Sequence, residues 1–289
     1  MNNRKTAIGR QFSRSAAGSY DTNSHVQRGM AKRLAASLKQ WMGDKDLNEI
    51  NILEIGCGTG TLTEMLVNEW PCASITAIDI APAMIQAAEE RICLSTSNDF
   101  NCSKGHSSHV RFLLGDVEMW ATDAPASSFD LIVSNACFQW LSDPRQTLEQ
   151  LGRLLRAGGL LAFATFGTDT FHELHSSFYE AYHTIGMEPQ RHGLSFQSAD
   201  QWERFLSETG FSSISCEQFC CKEEYPSVRD FLLSVKAQGA STSEAAIPGH
   251  QVSRHLFENM YKAYESKFST PSGVSATYDL LFIQALPKR

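Results

Sequence analysis

Three glycines within five residues, Gly56, Gly58 and Gly60, stand between the apolar run INILEI and the apolar-periodic stretch TLTEML. A β-branched apolar run bounded by glycine reads as a buried strand, and the pattern from Thr61 to Glu69 reads as a helix. A strand that enters a helix through glycines brings backbone N–H groups close to whatever is bound at the turn. The alternation continues. ASITAIDI reads as a second strand, PAMIQAAEERI as a helix with Pro82 at its start, SHVRFLLGD as a third strand and FDLIVSN as a fourth. DPRQTLEQLGRLLR then reads as a helix, and AGGLLAFATF as a turn and fifth strand. Repetition of this kind from residue 50 to 166 implies a doubly wound α/β core, with a parallel sheet covered on both faces.

After Phe166 the rhythm changes. TFHELHSSFYEAYHTIG and SADQWERFLSETG read as helices, the second opened by a Ser198/Asp200 cap region and closed by Gly210. FSSISCEQFCCKEEY reads as a strand, the regions around 227–238 and 250–267 as helices, and SATYDLLFIQAL as the final strand. The organisation is therefore a basic helical segment over the site (1–45), a ligand-binding core (46–166), and a helical cap insertion with the last strands (167–289). The polar stretch 93–108 reads as a surface loop.

Composition narrows the function. Eight basic residues against Asp21 alone give the first 40 residues a charge of +7, which leaves −14 on the remainder of a chain whose net charge is −7. A basic arm on an acidic body suits an anionic partner; the overall charge does not suit nucleic acid. No apolar run is as long as a membrane span, and the N-terminus has no apolar signal core, so the cytoplasm is the expected compartment. The eight cysteines form no C-x-x-C and read as reduced thiols. His172 and His175, one turn apart on a polar helix, read as surface residues, and no metal is expected.

The glycine spacing is G-x-G-x-G, one residue shorter than the dinucleotide fingerprint G-x-G-x-x-G, and no G-K-[ST] follows. Asp79 ends the second strand, where an acid accepts hydrogen bonds from ribose hydroxyls. Asp116 ends the third strand and Asn135 the fourth.

LEIGCGTG, AIDIAPAMI, LLGDVE, FDLIVSNACFQWL and LLRAGGLLAFATF, in this order, resemble the motifs of the class I S-adenosylmethionine-dependent methyltransferases. The resemblance implies a Rossmann-like fold with a mostly parallel seven-stranded sheet, helices on both faces and a helical cap. It also implies S-adenosyl-L-methionine as cofactor and S-adenosyl-L-homocysteine as product. Carried over by position, Glu54, Gly56, Cys57, Gly58 and Gly60 line the methionine part. Asp79 meets the ribose, Ile80, Met84, Asp116 and Val117 the adenine, and Asn135 closes the set.

The flanks suggest the acceptor. FSRSAAGSYD with Gln27, the pattern N-A-x-x-Q-W at Asn135–Trp140 and K-x-x-G-A at 236–240 resemble the malonyl-acyl-carrier-protein O-methyltransferases of biotin synthesis. That resemblance implies methylation of the free carboxylate of a malonyl thioester, with malonyl-acyl carrier protein as partner and malonyl-coenzyme A as the alternative. A malonyl carboxylate with an Asp-like pKa of roughly 4 is already ionised near neutral pH. Transfer then needs alignment rather than a general base, and no catalytic residue is expected. The acceptor carboxylate calls for an anchor: Lys236 first, then Arg191 and His192, with Tyr20 and Gln139 beside the site and Trp140 as a wall. Arg10, Arg14, Arg28, Lys32 and Arg33 form the expected carrier-docking face. Two other readings stay open: methylation of a different small molecule, and a methyltransferase fold that binds without turnover.

Overall fold

The structure, a computed structural model, describes residues 3–16, 20–42, 50–97, 109–239 and 254–288. Its N-terminal arm is helical: α1 (Asn3–Ala16), the single turn α2 (Tyr20–Asn23) and α3 (His25–Met42). The core follows as β1 (Asn51–Ile55), α4 (Thr61–Glu69), β2 (Ser74–Asp79), α5 (Pro82–Ser97), β3 (His109–Leu114), α6 (Val117–Asp123), β4 (Phe129–Asn135), α7 (Pro144–Leu154) and β5 (Leu155–Phe166). The rest comprises α8 (His172–Thr184), α9 (Ala199–Glu208), β6 (Phe211–Tyr225), α10 (Val228–Ala237), α11 (Arg254–Phe268), β7 (Ser269–Thr270) and β8 (Gly273–Pro287).

The strands form one sheet in the order β3-β2-β1-β4-β5-β8-β6, with the two-residue β7 paired to β8 as an eighth member. β1 to β5 pair in parallel, and β8 runs antiparallel to both β5 and β6. The order reverses between β1 and β4, and a ligand in an open α/β sheet binds at such a reversal, beyond the carboxyl ends of the strands. The glycine turn after β1 lies there.

Both faces of the sheet are covered at its centre, which is why central strands such as β1 and β4 read as apolar runs, while the edge strands β3 and β6 are partly exposed. On one face Ile52, Leu131 and Val133 pack with Leu34 and Leu38 of α3 and Leu66 of α4. On the other, Leu53, Ile132 and Phe163 pack with Leu148 and Leu151 of α7 and with Trp202 and Leu206 of α9. Helix α9 opens with a capping box in which Ser198 and Gln201 bond reciprocally. Read from sequence as one of the inserted helices, α9 instead belongs to this sheet-covering layer. The cap proper is α8, α10 and α11, whose Phe178, Phe231, Met260 and Tyr264 form a separate core with Val274 and Ala276 of β8. Helix α5 runs to Ser97, five residues into the stretch expected to be a loop; residues 98–108 lie outside the described ones. No helix among the described residues is long and apolar enough to cross a membrane.

The cap is fastened to the sheet by buried polar bonds from β8. The Asp279 carboxylate accepts from Asp169 N (3.2 Å) and Gln218 Nε2 (2.8 Å), and Glu173 Oε2 accepts from Thr277 N (3.0 Å). Gly167, at the exit of β5, lies so close that a Cβ there would overlap the Asp279 carboxylate. Gly167→Ala therefore forces overpacking around a buried charge. It should lower the free energy of unfolding by roughly 1–3 kcal/mol, read as a fall in urea midpoint at constant slope; an unchanged midpoint would contradict the close packing of Gly167 on Asp279.

Candidate active site

The glycine turn is pinned to the neighbouring strand. Gly56 N and Cys57 N both donate to Ile78 O, at 2.8 and 3.2 Å. Gly56 has φ +70°, and a Cβ there would overlap Cys137 Sγ, so no other residue fits. Gly58 also has a positive φ, but a Cβ there would meet nothing within 4 Å: the turn opens onto free space. Asp79, at the end of β2, accepts from Gly58 N (2.9 Å) and Ala81 N (2.8 Å). One carboxylate thus ties the turn to the start of α5.

Two cavities meet at this turn. The larger, about 690 Å³, is lined on one side by Asp79, Ile80, Met84, Asp116 and Val117, and on the other by Ile8, Phe12, Trp140 and Leu141. The smaller, about 370 Å³, is bounded by Glu54, Cys57, Thr59, Ser24, Gln27 and Arg28. Tyr20, Gly56, Gly58 and Asn135 line both and mark the junction. Gly60 caps α4 at φ +83° and holds the turn from behind.

Glu54 is 1% exposed and accepts from Thr63 Oγ1 at 2.6 Å. Burial, opposed by the Thr63 bond and helped by the nearby Asp79, pushes its carboxyl up to about 8. Burial also raises the Asp79 carboxyl, against the N–H groups of Ala81 and Gly58. Burial, with Asp79 and Asp21 nearby, holds the Tyr20 hydroxyl protonated far above its ordinary range, so at neutral pH it is a donor. Acceptors line the turn itself, with Lys5 and Arg28 as the cations among the described residues of the two cavities.

The N-terminal arm closes over this site through contacts that sequence reasoning missed. Lys5, 6% exposed, lines the larger cavity; its ammonium lies 3.4 Å from Asp116 Oδ1 and pairs with Glu118. Burial works against the Glu118 charge, yet the N–H groups of Asp143 and Ser142 and the Lys5 ammonium hold its carboxyl below the ordinary value. Asp116 also caps α6, accepting from Glu118 N at 3.2 Å. Asp21, the lone acid of the arm, accepts from Thr59 Oγ1 (2.7 Å) and Arg91 (2.5 Å), which anchors α2 to the glycine turn. Only the amphipathic spacing of Lys5, Ile8 and Phe12 carried a hint of this, since residues at i, i+3 and i+7 share a helix face.

Several expected residues fall elsewhere. Lys236 is exposed near the end of α10 and is not among the cavity linings. The residues of its motif that turn inward are Gln238, 4% exposed, and Gly239, where a Cβ would come within 2.8 Å of Phe12. Arg191 is exposed and donates to Leu194 O at 3.2 Å. His192 stacks on Phe178 at 3.8 Å and bonds Tyr182 OH at 2.9 Å; burial lowers its pKa. Gln139 is held by Ala136 O and Thr165 Oγ1, at 2.7 and 3.0 Å. None of these four lines either cavity. Asp130 accepts from Asn51 N and Arg156, a strand-edge tie. Arg28, expected on an outer face, lies beside the glycine turn, bonded to Asp21 O and Ser24. His172 Nδ1 lies 3.3 Å from Glu173 Oε2, and no group of three metal-ligating side chains occurs among the described residues.

Comparison with known proteins fits this geometry. A methyltransferase-domain family model matches residues 23–215. The malonyl-[acyl-carrier protein] O-methyltransferase of Paenibacillus sp. (strain JDR-2) is 57% identical over 99% of this chain and 100% of its own length. The chain belongs to the malonyl-[acyl-carrier protein] O-methyltransferase family. The counterpart from Brevibacillus brevis is 38% identical over 99% of this chain and 97% of its own. Among solved structures, the YcgJ protein of a Bacillus species superposes with a TM-score of 0.60 at 13% identity, covering 89% of this chain and 99% of its own, a likeness of fold.

The Glu54 carboxyl generates a test on the ligand-free chain. Folded, it keeps its proton up to about 8, where the ordinary value is 4.5. The folded state thus binds more protons across that interval, and Glu54 costs stability progressively as pH rises through it. Glu54→Gln keeps an acceptor for Thr63 and removes this titration. The melting temperature of the variant relative to the native chain should climb from about pH 5 to about pH 8; a difference independent of pH would contradict the assignment.

Proposed function

We propose that this chain transfers the methyl group of S-adenosyl-L-methionine to the free carboxylate of a malonyl thioester carried by an acyl carrier protein. The products are a malonyl methyl ester and S-adenosyl-L-homocysteine. The observation that carries this reading is 57% identity over 99% of the chain with a protein named malonyl-[acyl-carrier protein] O-methyltransferase, joined to the two cavities at the glycine turn. The ester hides a charge, so that fatty acid synthase elongates the chain toward the pimeloyl precursor of biotin.

In this reading the adenosine part of the cofactor occupies the larger cavity, with the ribose on Asp79 and the adenine between Met84, Asp116 and Val117. The methionine part occupies the smaller cavity, with its carboxylate toward Arg28. The sulfonium then falls at the junction lined by Tyr20, Gly56, Gly58 and Asn135. Displacement at the methyl carbon is in line and needs no proton transfer. The chain contributes alignment and exclusion of water. The Tyr20 hydroxyl, held protonated, donates to the incoming carboxylate in place of the expected Lys236. Phe12, Trp140 and Leu141 wall the acceptor side; Phe12 and Trp140 meet edge to face at 5.3 Å.

The direct assay offers labelled cofactor with malonyl-acyl carrier protein, malonyl-coenzyme A and free malonate side by side. Base-labile label on a malonyl thioester is expected; no label on any of the three would overturn the reading.

The carrier surface is also a proposal. Arg28 faces the glycine turn, and Arg33 is engaged with Glu217 (3.0 Å) and the Phe219 ring (3.5 Å). That leaves Arg10, Arg14 and Lys32 exposed. The inner face of α1 lines the cavity through Ile8 and Phe12, so Arg10 and Arg14 stand on the outer wall of the entrance. Carrier proteins are acidic, and such charges act mainly on association. Arg10→Glu combined with Arg14→Glu should raise KM for the carrier-bound substrate several-fold, flatten its salt dependence and leave kcat unchanged. Unaltered KM and salt dependence would remove α1 from the docking surface.

A further inference from the structure

Gln27, in the first turns of α3, belongs to a buried amide chain that joins three distant segments. Its Nε2 donates to Gln238 Oε1 at 2.7 Å. Gln238, just past the end of α10, donates in turn to Asn23 O (2.8 Å) and Ser234 Oγ (3.1 Å). Asn135, at the end of β4, donates to the backbone O of Gln27 at 3.0 Å. These bonds fix which end of each amide is which. They engage one N–H of each of Gln27 and Asn135 and leave both carbonyl oxygens: Gln27 Oε1 and Asn135 Oδ1 are buried and have no hydrogen-bond partner. Both residues line the smaller cavity, with Glu54 and Arg28.

Buried acceptors without partners are rare, and each calls for an explanation such as a donor that arrives later. Two at one cavity, whose lining also includes the buried Glu54 carboxyl and the Arg28 guanidinium, match a zwitterion: an ammonium that donates three bonds and a carboxylate that accepts. An amide N–H of a pantetheine arm supplies a single donor and leaves the second oxygen bare.

We propose that Gln27 is a positioning residue for the α-ammonium group of the cofactor, its amide oxygen aimed jointly with that of Asn135, and that Gln238 of the cap side sets its orientation. This rests on the cofactor reading given above. It assigns the K-x-x-G-A segment a task that Lys236 does not perform: through Gln238 the cap holds part of the cofactor site. Methyl transfer requires the sulfonium to be held in line with the acceptor, so fixing the α-carbon end also fixes the angle at sulfur.

The test is calorimetric binding by the full chain of three ligands: S-adenosylhomocysteine, its deaminated analogue, and methylthioadenosine, which lacks the amino-acid end. Gln27→Ala should weaken S-adenosylhomocysteine at least about tenfold, the scale of a lost hydrogen bond to a charged group. The deaminated analogue and methylthioadenosine should bind native and variant chains alike. Gln238→Leu, which leaves Gln27 in place but unaimed, should reproduce the same selectivity to a smaller degree. Equal weakening of all three ligands would reduce Gln27 to a structural role and overturn the proposal. So would unchanged S-adenosylhomocysteine affinity with a raised KM for the malonyl thioester, which would assign the oxygens to the acceptor arm. Failure of the native chain to bind S-adenosylhomocysteine at all would overturn the functional reading and this inference with it.

Discussion

The Asp79 carboxylate is the point on which the site turns. It accepts N–H groups from Gly58 and Ala81, and so clamps the glycine turn to the head of α5. The turn needs the clamp because Gly56, Gly58 and Gly60 all have positive φ, a path that no side chain would stabilise by itself. With it in place, the first crossover presents backbone rather than side chains to the ligand, at the point where strand order reverses. The same carboxylate lines the larger cavity, so one group shapes the turn and borders the space proposed for the ribose.

Around that clamp, charge is arranged to be completed by a ligand. Asp79 and Asp116 line the larger cavity and Glu54 the smaller, and burial raises Glu54 and Asp79 toward their neutral forms. Among the described residues, Lys5 is the cation that lines the larger cavity, and it is engaged with Asp116 and Glu118. In the proposed reading the sulfonium and α-ammonium group of the cofactor add complementary charge. The basic arm has two faces: Lys5, Asp21 and Gln27 turn to the cavities and the glycine turn, while Arg10 and Arg14 are exposed.

The fold was legible because its strands are short apolar runs punctuated by glycine, and because five motifs fall in order at strand ends, where ligands of such sheets bind. The placement of α9 was not legible: an amphipathic helix has the same pattern whether it covers a sheet or a cap, and only the packing of Trp202 and Leu206 separates the two. The lining of the two cavities by Glu54, Gly56, Gly58, Asp79, Met84 and Asp116 was legible, since these residues are local to strand ends. The placement of the residues expected around the acceptor was not. A motif marks a segment but not which of its side chains turns inward, and in K-x-x-G-A the inward residues are Gln238 and Gly239. Lys5 looked like one more solvated lysine because the two acids that bury it lie more than 110 residues away in sequence. The bond from Gln27 to Gln238 spans 211 positions, and no local pattern announces it.

The most direct measurement is a crystal structure of the full chain with S-adenosylhomocysteine. The account predicts ribose hydroxyls on Asp79, adenine beside Asp116 and Val117, the thioether sulfur at the junction of Tyr20, Gly56, Gly58 and Asn135, and the amino-acid end between Arg28 and Gln27. A nucleoside lying away from Asp79, or an amino-acid end outside the smaller cavity, would contradict it.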